Sequence, residues 1–236
     1  MEEVDGSTGV PEAAAKVFGD GLDLARRFAG LLERHGVERG LIGPREVDRL
    51  WDRHLLNSAV IAEQIPHGAR VIDVGSGAGF PGVPLSIARP DLDVVLIEPM
   101  ARRADWLAEV VDALDLSAQV VRGRAEEKAV REDVPAADVV TSRAVAPLAR
   151  LAGWCLPLTR QGGVMLALKG SSVRDEITRD LDAVKKAGGA TPSVHECGAG
   201  LLDTPTTVVK VERTRPVKSG GPRRRAGGTT KSKRAR

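Results

Sequence analysis

Val71-Ile72-Asp73-Val74 runs directly into Gly75-Ser76-Gly77-Ala78-Gly79-Phe80-Pro81-Gly82, and that junction restricts the fold more than any other part of the chain. Val71, Ile72 and Val74 form a short β-branched run of the kind buried in a parallel sheet. Gly75, Gly77 and Gly79 then let the backbone turn tightly and approach a ligand, because a residue without a Cβ accepts positive φ at little cost. The pattern is G-x-G-x-G. Phe80 stands where a dinucleotide fingerprint needs its third glycine, so an S-adenosylmethionine (SAM) site fits better than NAD. A second apolar run, Val94-Val95-Leu96-Ile97, ends in Glu98, about the twenty residues downstream at which a nucleotide-binding βαβ unit places a carboxylate on the ribose. Residues 75–80 are expected to hold the cofactor and Glu98 its ribose. The competing explanation is an ordinary α/β junction with a glycine turn after one strand and an acid after the next.

A chain of 236 residues, 42% of them hydrophobic, has enough apolar surface for one substantial core with appendages. No segment approaches the roughly eighteen uninterrupted apolar residues of a spanning helix, and Met1-Glu2-Glu3 lacks the basic start of a signal peptide, so a cytoplasmic location is expected. Cys155 and Cys197 are too few and too isolated for a disulfide framework or a zinc site and are read as reduced packing residues, with no metal expected. Charge is unevenly spread. Residues 213–236 carry ten Lys or Arg and no acid, so the formal +3 of the whole chain leaves −7 on residues 1–212. That Gly/Pro/Ser/Thr-rich tail, including Arg223, Arg224 and Arg225, has too few apolar residues to fold alone. It is either a flexible grip on nucleic acid or a solubilising extension.

Apolar periodicity predicts helices over Pro11–His35 and from about Pro44 to Ile65, a helical cap over residues 1–66. Beyond the first two strands come a helix near Ala101–Leu114, strands at Gln119–Arg122 and Asp138–Ser142, a helix near Pro147–Leu158, a strand at Val164–Leu168 and a helix at Val173–Ala187. This alternation is that of a parallel, doubly wound sheet. Ser193–Cys197 and Thr206–Glu212 have no helix between them and are expected to pair antiparallel at the sheet edge. Seven strands with a reversed last strand over residues 67–212 resemble the Rossmann-like class I SAM-dependent methyltransferase fold.

Methyl transfer from a sulfonium is an in-line displacement, so acceptor classes differ mainly in what else the site must supply. A pyrimidine C5 acceptor needs a cysteine nucleophile, and neither Cys155 nor Cys197 follows the fourth strand as one should. An exocyclic amine is usually served by Asp or Asn, two prolines and an aromatic ring after that strand, where this chain has Thr141-Ser142-Arg143-Ala144-Val145-Ala146-Pro147. A ring nitrogen such as guanine N7 carries an unprotonated in-plane lone pair and needs no base, only orientation and charge management. Arg143 and Lys169 both end strands at the ligand-binding edge and are the catalytic candidates, the alternative being two solvated charges. Arg124-Ala125-Glu126-Glu127 lies where an adenine pocket would form, or else is a helix start with acids in its first turn.

Gly75-Ser76-Gly77-Ala78-Gly79-Phe80-Pro81-Gly82-Val83-Pro84-Leu85, Arg124-Ala125-Glu126-Glu127, Ser142-Arg143-Ala144 and Ala167-Leu168-Lys169-Gly170, in this order over residues 45–170, closely resemble the RsmG (GidB) family of 16S ribosomal RNA guanine-N7 methyltransferases. The resemblance implies SAM as cofactor and guanine 527 in the 530 loop of 16S rRNA as target, in free rRNA, an assembly intermediate or the 30S subunit. It also implies SAM contacts by Gly75, Phe80, Ala125, Glu126 and Arg143, and makes Arg124 and Lys169 candidates for the RNA side. The family's Arg-His-x-x-Asp-Ser reads Arg53-His54-Leu55-Leu56-Asn57-Ser58 here, with an amide where the carboxylate belongs. His54 either faces the RNA from the cap or is a packed residue. A monomer is expected. Three competing functions remain at this point: a ribose 2′-O-methyltransferase in which Lys169 helps deprotonate a hydroxyl, an RNA-binding protein of this fold without turnover and, more remote, an NAD oxidoreductase.

Overall fold

Runs of β-branched residues build the centre of a seven-stranded sheet in the computed structural model, which describes residues 9–143 and 146–214. The strands are β1 (Arg70–Val74), β2 (Asp93–Glu98), β3 (Ala118–Arg122), β4 (Ala137–Arg143), β5 (Thr159–Leu168), β6 (Ser193–Cys197) and β7 (Thr206–Glu212). Their order is β3-β2-β1-β4-β5-β7-β6, with β1 to β5 parallel and β7 antiparallel to both neighbours. The expected antiparallel pair is present, and β7 lies inside it, between β5 and β6. β1 and β4 are adjacent although the chain travels out to β3 between them, which makes their carboxyl ends the topological switch point where open α/β sheets bind ligands. With Asp73 opposite Thr141, the glycine turn and Arg143 leave the sheet at the same level.

Strand side chains alternate between two cores, as the two-residue period requires. Val71, Val94, Leu96 and Val139 pack with Phe28, Leu32, Leu55 and Trp106 under the cap. Ile72, Val95, Ile97 and Val140 pack with Leu148, Leu151, Leu156 and Val184 on the opposite face. Both cysteines are buried and free. Burial pushes both thiols up, Cys197 to about 11, so neither supplies a thiolate nucleophile.

Three elements differ from the periodicity. The first predicted helix is two, Glu12–Phe18 and Leu22–His35, separated by a turn over Gly19–Gly21. A Cβ at Gly21 would sit 2.6 Å from the Ile87 carbonyl oxygen, so the break lies where the cap backbone packs tightly against the helix after β1. The second predicted helix is a succession of 3-10 (Pro44–Arg49), π (Leu50–Leu56), α (Asn57–Ala59) and 3-10 (Val60–Gln64) turns. Leu50, Trp51, His54, Leu55, Leu56, Ser58, Ala59, Val60 and Ile61 are all buried there. Covered on nearly every side, this segment winds to suit its packing, and a π turn in such a place often accompanies a functional site. Between β3 and β4 a short helix spans Lys128–Asp133, beginning only after the Arg124–Glu127 stretch weighed as a helix start; six residues with Val130 as the buried contact leave no periodicity that would place it.

Arg213, assigned by its charge to the tail, belongs to the folded body. It bridges Gly189, and its guanidinium donates to the Pro157 and Thr159 carbonyls. Arg223, Arg224 and Arg225 lie outside the described residues. Among the described residues, no helix is long and apolar enough to cross a membrane and no cluster of His, Cys, Asp and Glu could hold a metal ion.

Candidate active site

The turn after β1 needs its glycines. Gly75, Gly77 and Gly79 have φ of 76°, 57° and 116°, a region costly for any residue with a Cβ. At Gly79 a Cβ would also meet Val83 Cγ2 at 2.9 Å and Phe28 Cζ at 3.1 Å. The turn is tied down from outside. Gly77 N–H donates to Glu98 Oε2 at 2.9 Å, Met100 N–H donates to Glu98 Oε1 at 2.9 Å, and Trp106 Nε1–H donates to the Ala78 carbonyl at 3.0 Å. Glu98, buried at the end of β2, therefore braces the loop with one lone pair of each oxygen and keeps the others for a ligand.

Two cavities open around this turn. The smaller, about 180 Å³, is lined by Gly75, Glu98, Arg124, Ala125, Glu126 and Trp154, among others. Ala125 is buried, and Arg131 holds its turn by donating from Nε to the Ala125 carbonyl at 3.0 Å. Helix geometry begins only at Lys128, so residues 124–126 form a cavity wall rather than a first helical turn. Arg124 is largely exposed, with Glu126 3.9 Å away.

The larger cavity, about 810 Å³, shares Gly75 and Arg103 with the smaller one and is also lined by Glu46, His54, Phe80, Arg143 and Lys169. Arg143 donates from Nη2 to His54 Nδ1 at 2.8 Å and from Nη1 to the Arg53 carbonyl at 3.2 Å, while its guanidinium carbon lies 4.4 Å from the Phe80 ring centroid. Burial lowers the Arg143 pKa to about 10, with the Asp73 carboxyl opposing that change, and the group remains charged at neutral pH. His54 stacks on Phe80 at 5.1 Å and meets Glu46 Oε2 through Nε2 at 2.7 Å. Burial first, then the Arg143 charge, push its pKa down to about 4, so the ring is neutral. For Glu46, burial favours the neutral acid, but the His54 hydrogen bond and the Arg53 charge outweigh it and hold the carboxyl below its usual range.

His54, expected as one possibility to face RNA, thus has both nitrogens committed inside the protein. Lys169 does reach the large cavity, but its ammonium donates to Glu176 Oε1 and the Ala146 carbonyl, each at 2.9 Å. Asn57 also lines that cavity, and its main-chain carbonyl accepts from Thr206 Oγ1 at 3.1 Å, joining cap to β7.

Asp73 escaped the sequence reading. It is fully buried, accepts from Gly82 N–H at 3.0 Å through Oδ2, and has no hydrogen-bond partner for Oδ1. The signal was available, a single carboxyl inside an otherwise apolar strand. Burial raises its pKa to about 7 despite the Gly82 and Ser76 hydrogen bonds. Because the folded value exceeds the unfolded one, the folded state retains a proton that the unfolded state releases, and stability falls as pH rises from about 4 to about 7. His54 acts oppositely in an overlapping window, so the two are separated by mutation. Asp73→Asn should remove a pH-dependent loss of up to ~3 kcal/mol relative to the parent, read as the difference between urea melts at about pH 5 and about pH 8. A parallel pH response in both proteins would exclude a titrating Asp73.

A family model, rRNA small subunit methyltransferase G (GidB), matches residues 22–204. The chain belongs to this family. A ribosomal RNA small subunit methyltransferase G of Salinispora arenicola is 57% identical over 215 residues, 89% of each chain. The solved structure of Aeropyrum pernix fibrillarin with natively bound SAM covers 67% of this chain and 74% of its own, with TM-score 0.50 and 20% identity. A TehB-like SAM-dependent methyltransferase from Corynebacterium glutamicum covers 77% and 98%, with TM-score 0.53 and 14% identity. The fold is that of the class I SAM-dependent methyltransferases, and this GidB-family chain is an enzyme that uses SAM. Its residues suit that cofactor: a positive-φ glycine turn that a Cβ would crowd, a buried carboxylate with lone pairs to spare, and a cavity wall at residues 124–126.

Proposed function

We propose that this enzyme transfers a methyl group to N7 of a guanine in 16S rRNA, guanine 527 of the 530 loop. SAM supplies an electrophilic methyl group on a positively charged sulfur. Gly75, Gly77, Gly79 and Phe80 carry the turn that would bind it, Glu98 would accept its ribose hydroxyls, and Ala125 and Glu126 would border its adenine. Arg143 would contact the donor side, and Arg124, exposed at the cavity edge, would meet RNA phosphate.

One observation carries the choice of acceptor: among the described side chains lining the larger cavity, both nitrogen bases are committed, and the Glu46 carboxylate is turned through Oε2 to His54 and Arg53. His54 Nδ1 accepts from Arg143 while its Nε2–H is turned to Glu46, and the Lys169 ammonium is held by Glu176. A ribose hydroxyl must lose its proton during transfer, whereas guanine N7 brings a free lone pair. The buried guanidinium instead suits charge management as the donor loses its positive charge and the base gains one. Nucleoside mass spectrometry with site mapping of 16S rRNA, from the host with and without the gene, tests this. Loss of 7-methylguanosine at the 530 loop alone, restored by the intact gene, is expected. Loss of a 2′-O-methyl mark, or of another methylated base, would replace the acceptor while leaving the cofactor site in place.

A further inference from the structure

We propose that Glu46 and His54 are positioning residues that act through Arg143, so that the helical cap sets the aim of the guanidinium at the carboxyl end of β4. The inference rests on the reading that Arg143 works at the donor side, and on a continuous chain of contacts across three parts of the fold. Glu46 belongs to the 3-10 turn of the cap, His54 to its π turn, and Arg143 to the sheet. The links are 2.7 Å from Glu46 Oε2 to His54 Nε2 and 2.8 Å from His54 Nδ1 to Arg143 Nη2.

The hydrogen-bond chemistry determines the direction of this chain. A guanidinium has donors only, so His54 Nδ1 must present its lone pair and the ring proton must sit on Nε2, pointed at the Glu46 carboxylate. Glu46 thereby selects the one tautomer that can accept from Arg143. A second proton on the ring would set N–H against N–H, and the downward-shifted His54 pKa agrees with its exclusion. Phe80 completes the seat. Arg143 and His54 both lie against its ring, and Phe28 closes on it edge-to-face at 5.8 Å. Phe80 follows Gly79 directly, so the glycine turn and the guanidinium share one support. With one N–H on His54 and one on the Arg53 carbonyl, Arg143 keeps further donors for the site. The π winding over Leu50–Leu56 includes His54 itself, a local distortion at the contact the proposal requires.

A double-mutant cycle on the full chain decides the matter, with SAM affinity by calorimetry and single-turnover methyl transfer to 16S rRNA as readouts. His54→Phe keeps a ring against Phe80 but removes the acceptor, and should weaken one or both readouts about 10- to 100-fold, the scale of a misplaced catalytic group. His54→Gln, which offers a carbonyl oxygen to Arg143 and an N–H to Glu46, should recover to within about threefold of the parent, and His54→Phe should add nothing to Arg143→Ala. Independent, multiplying effects of His54→Phe and Arg143→Ala would overturn the proposal, as would equal losses for Phe and Gln at position 54. If His54→Phe does not fold, Glu46→Leu at the outer end of the chain gives the same cycle. An Arg143→Ala enzyme with parental affinity and rate would remove the underlying reading of Arg143. Coupling without 7-methylguanosine in the product would keep the positioning roles and remove the acceptor assignment.

Discussion

Arg143→Ala is expected to slow single-turnover methyl transfer at least ~100-fold, the loss typical of removing a preorganised charged donor from a water-poor site. The side chain does more than carry charge. It covers the Phe80 ring, fills the acceptor position on His54 and faces the buried Asp73 carboxyl, so truncation leaves several groups without their partner at once. Arg143→Lys should not restore the rate, because an ammonium on a flexible stem cannot lie flat on Phe80 while bridging His54 and the Arg53 carbonyl. Thermal melts of the same variants separate the two consequences. A transfer rate within about threefold of the parent would leave Arg143 a packing residue only.

Glu98→Ala should weaken SAM binding by about 1.5–3 kcal/mol, roughly 10- to 150-fold, if charge-assisted ribose bonds are lost. The structure adds a reason to expect the upper part of that range. The same carboxylate accepts from Gly77 and Met100, so its removal frees two backbone N–H groups and loosens the turn that faces the ligand. Glu98→Gln should fall between, since an amide oxygen can satisfy one of those donors while its NH₂ opposes the other. Calorimetry with S-adenosylhomocysteine reads the effect without turnover, and unchanged affinity would exclude Glu98 from the cofactor site.

Much of this site was legible in one dimension because its signals are local. Positive-φ turns demand glycine, so the alternate glycines of 75–79 announced a tight loop, and the carboxylate of Glu98 followed at the interval of a βαβ unit. Arg143 and Lys169 were placed at strand ends for the same reason. What each then does was not legible. Lys169 is drawn to Glu176, which lies on the next helix and also accepts from Leu148 N–H at 2.7 Å. Nothing near Lys169 in sequence specifies that its partner caps a different helix.

The cap illustrates the same limit. Its apolar positions correctly indicated helical winding, but the break at Gly19–Gly21 and the π turn around His54 answer to Ile87 and Phe80, which follow β1, and to Arg143 at the end of β4, all remote along the chain from the cap residues they touch. Asp73 looked like one letter of a strand and became a buried carboxyl with an unpartnered oxygen once the sheet was covered on both faces. Sequence alone determined the sheet class, the glycine turn, the ribose-binding candidate and the family, since backbone conformation and strand patterning depend on neighbours along the chain. Tertiary structure decided which charges are spent and which are free, because hydrogen bonding, burial and proton affinity depend on neighbours across 89 residues, as between His54 and Arg143, and no local pattern encodes those.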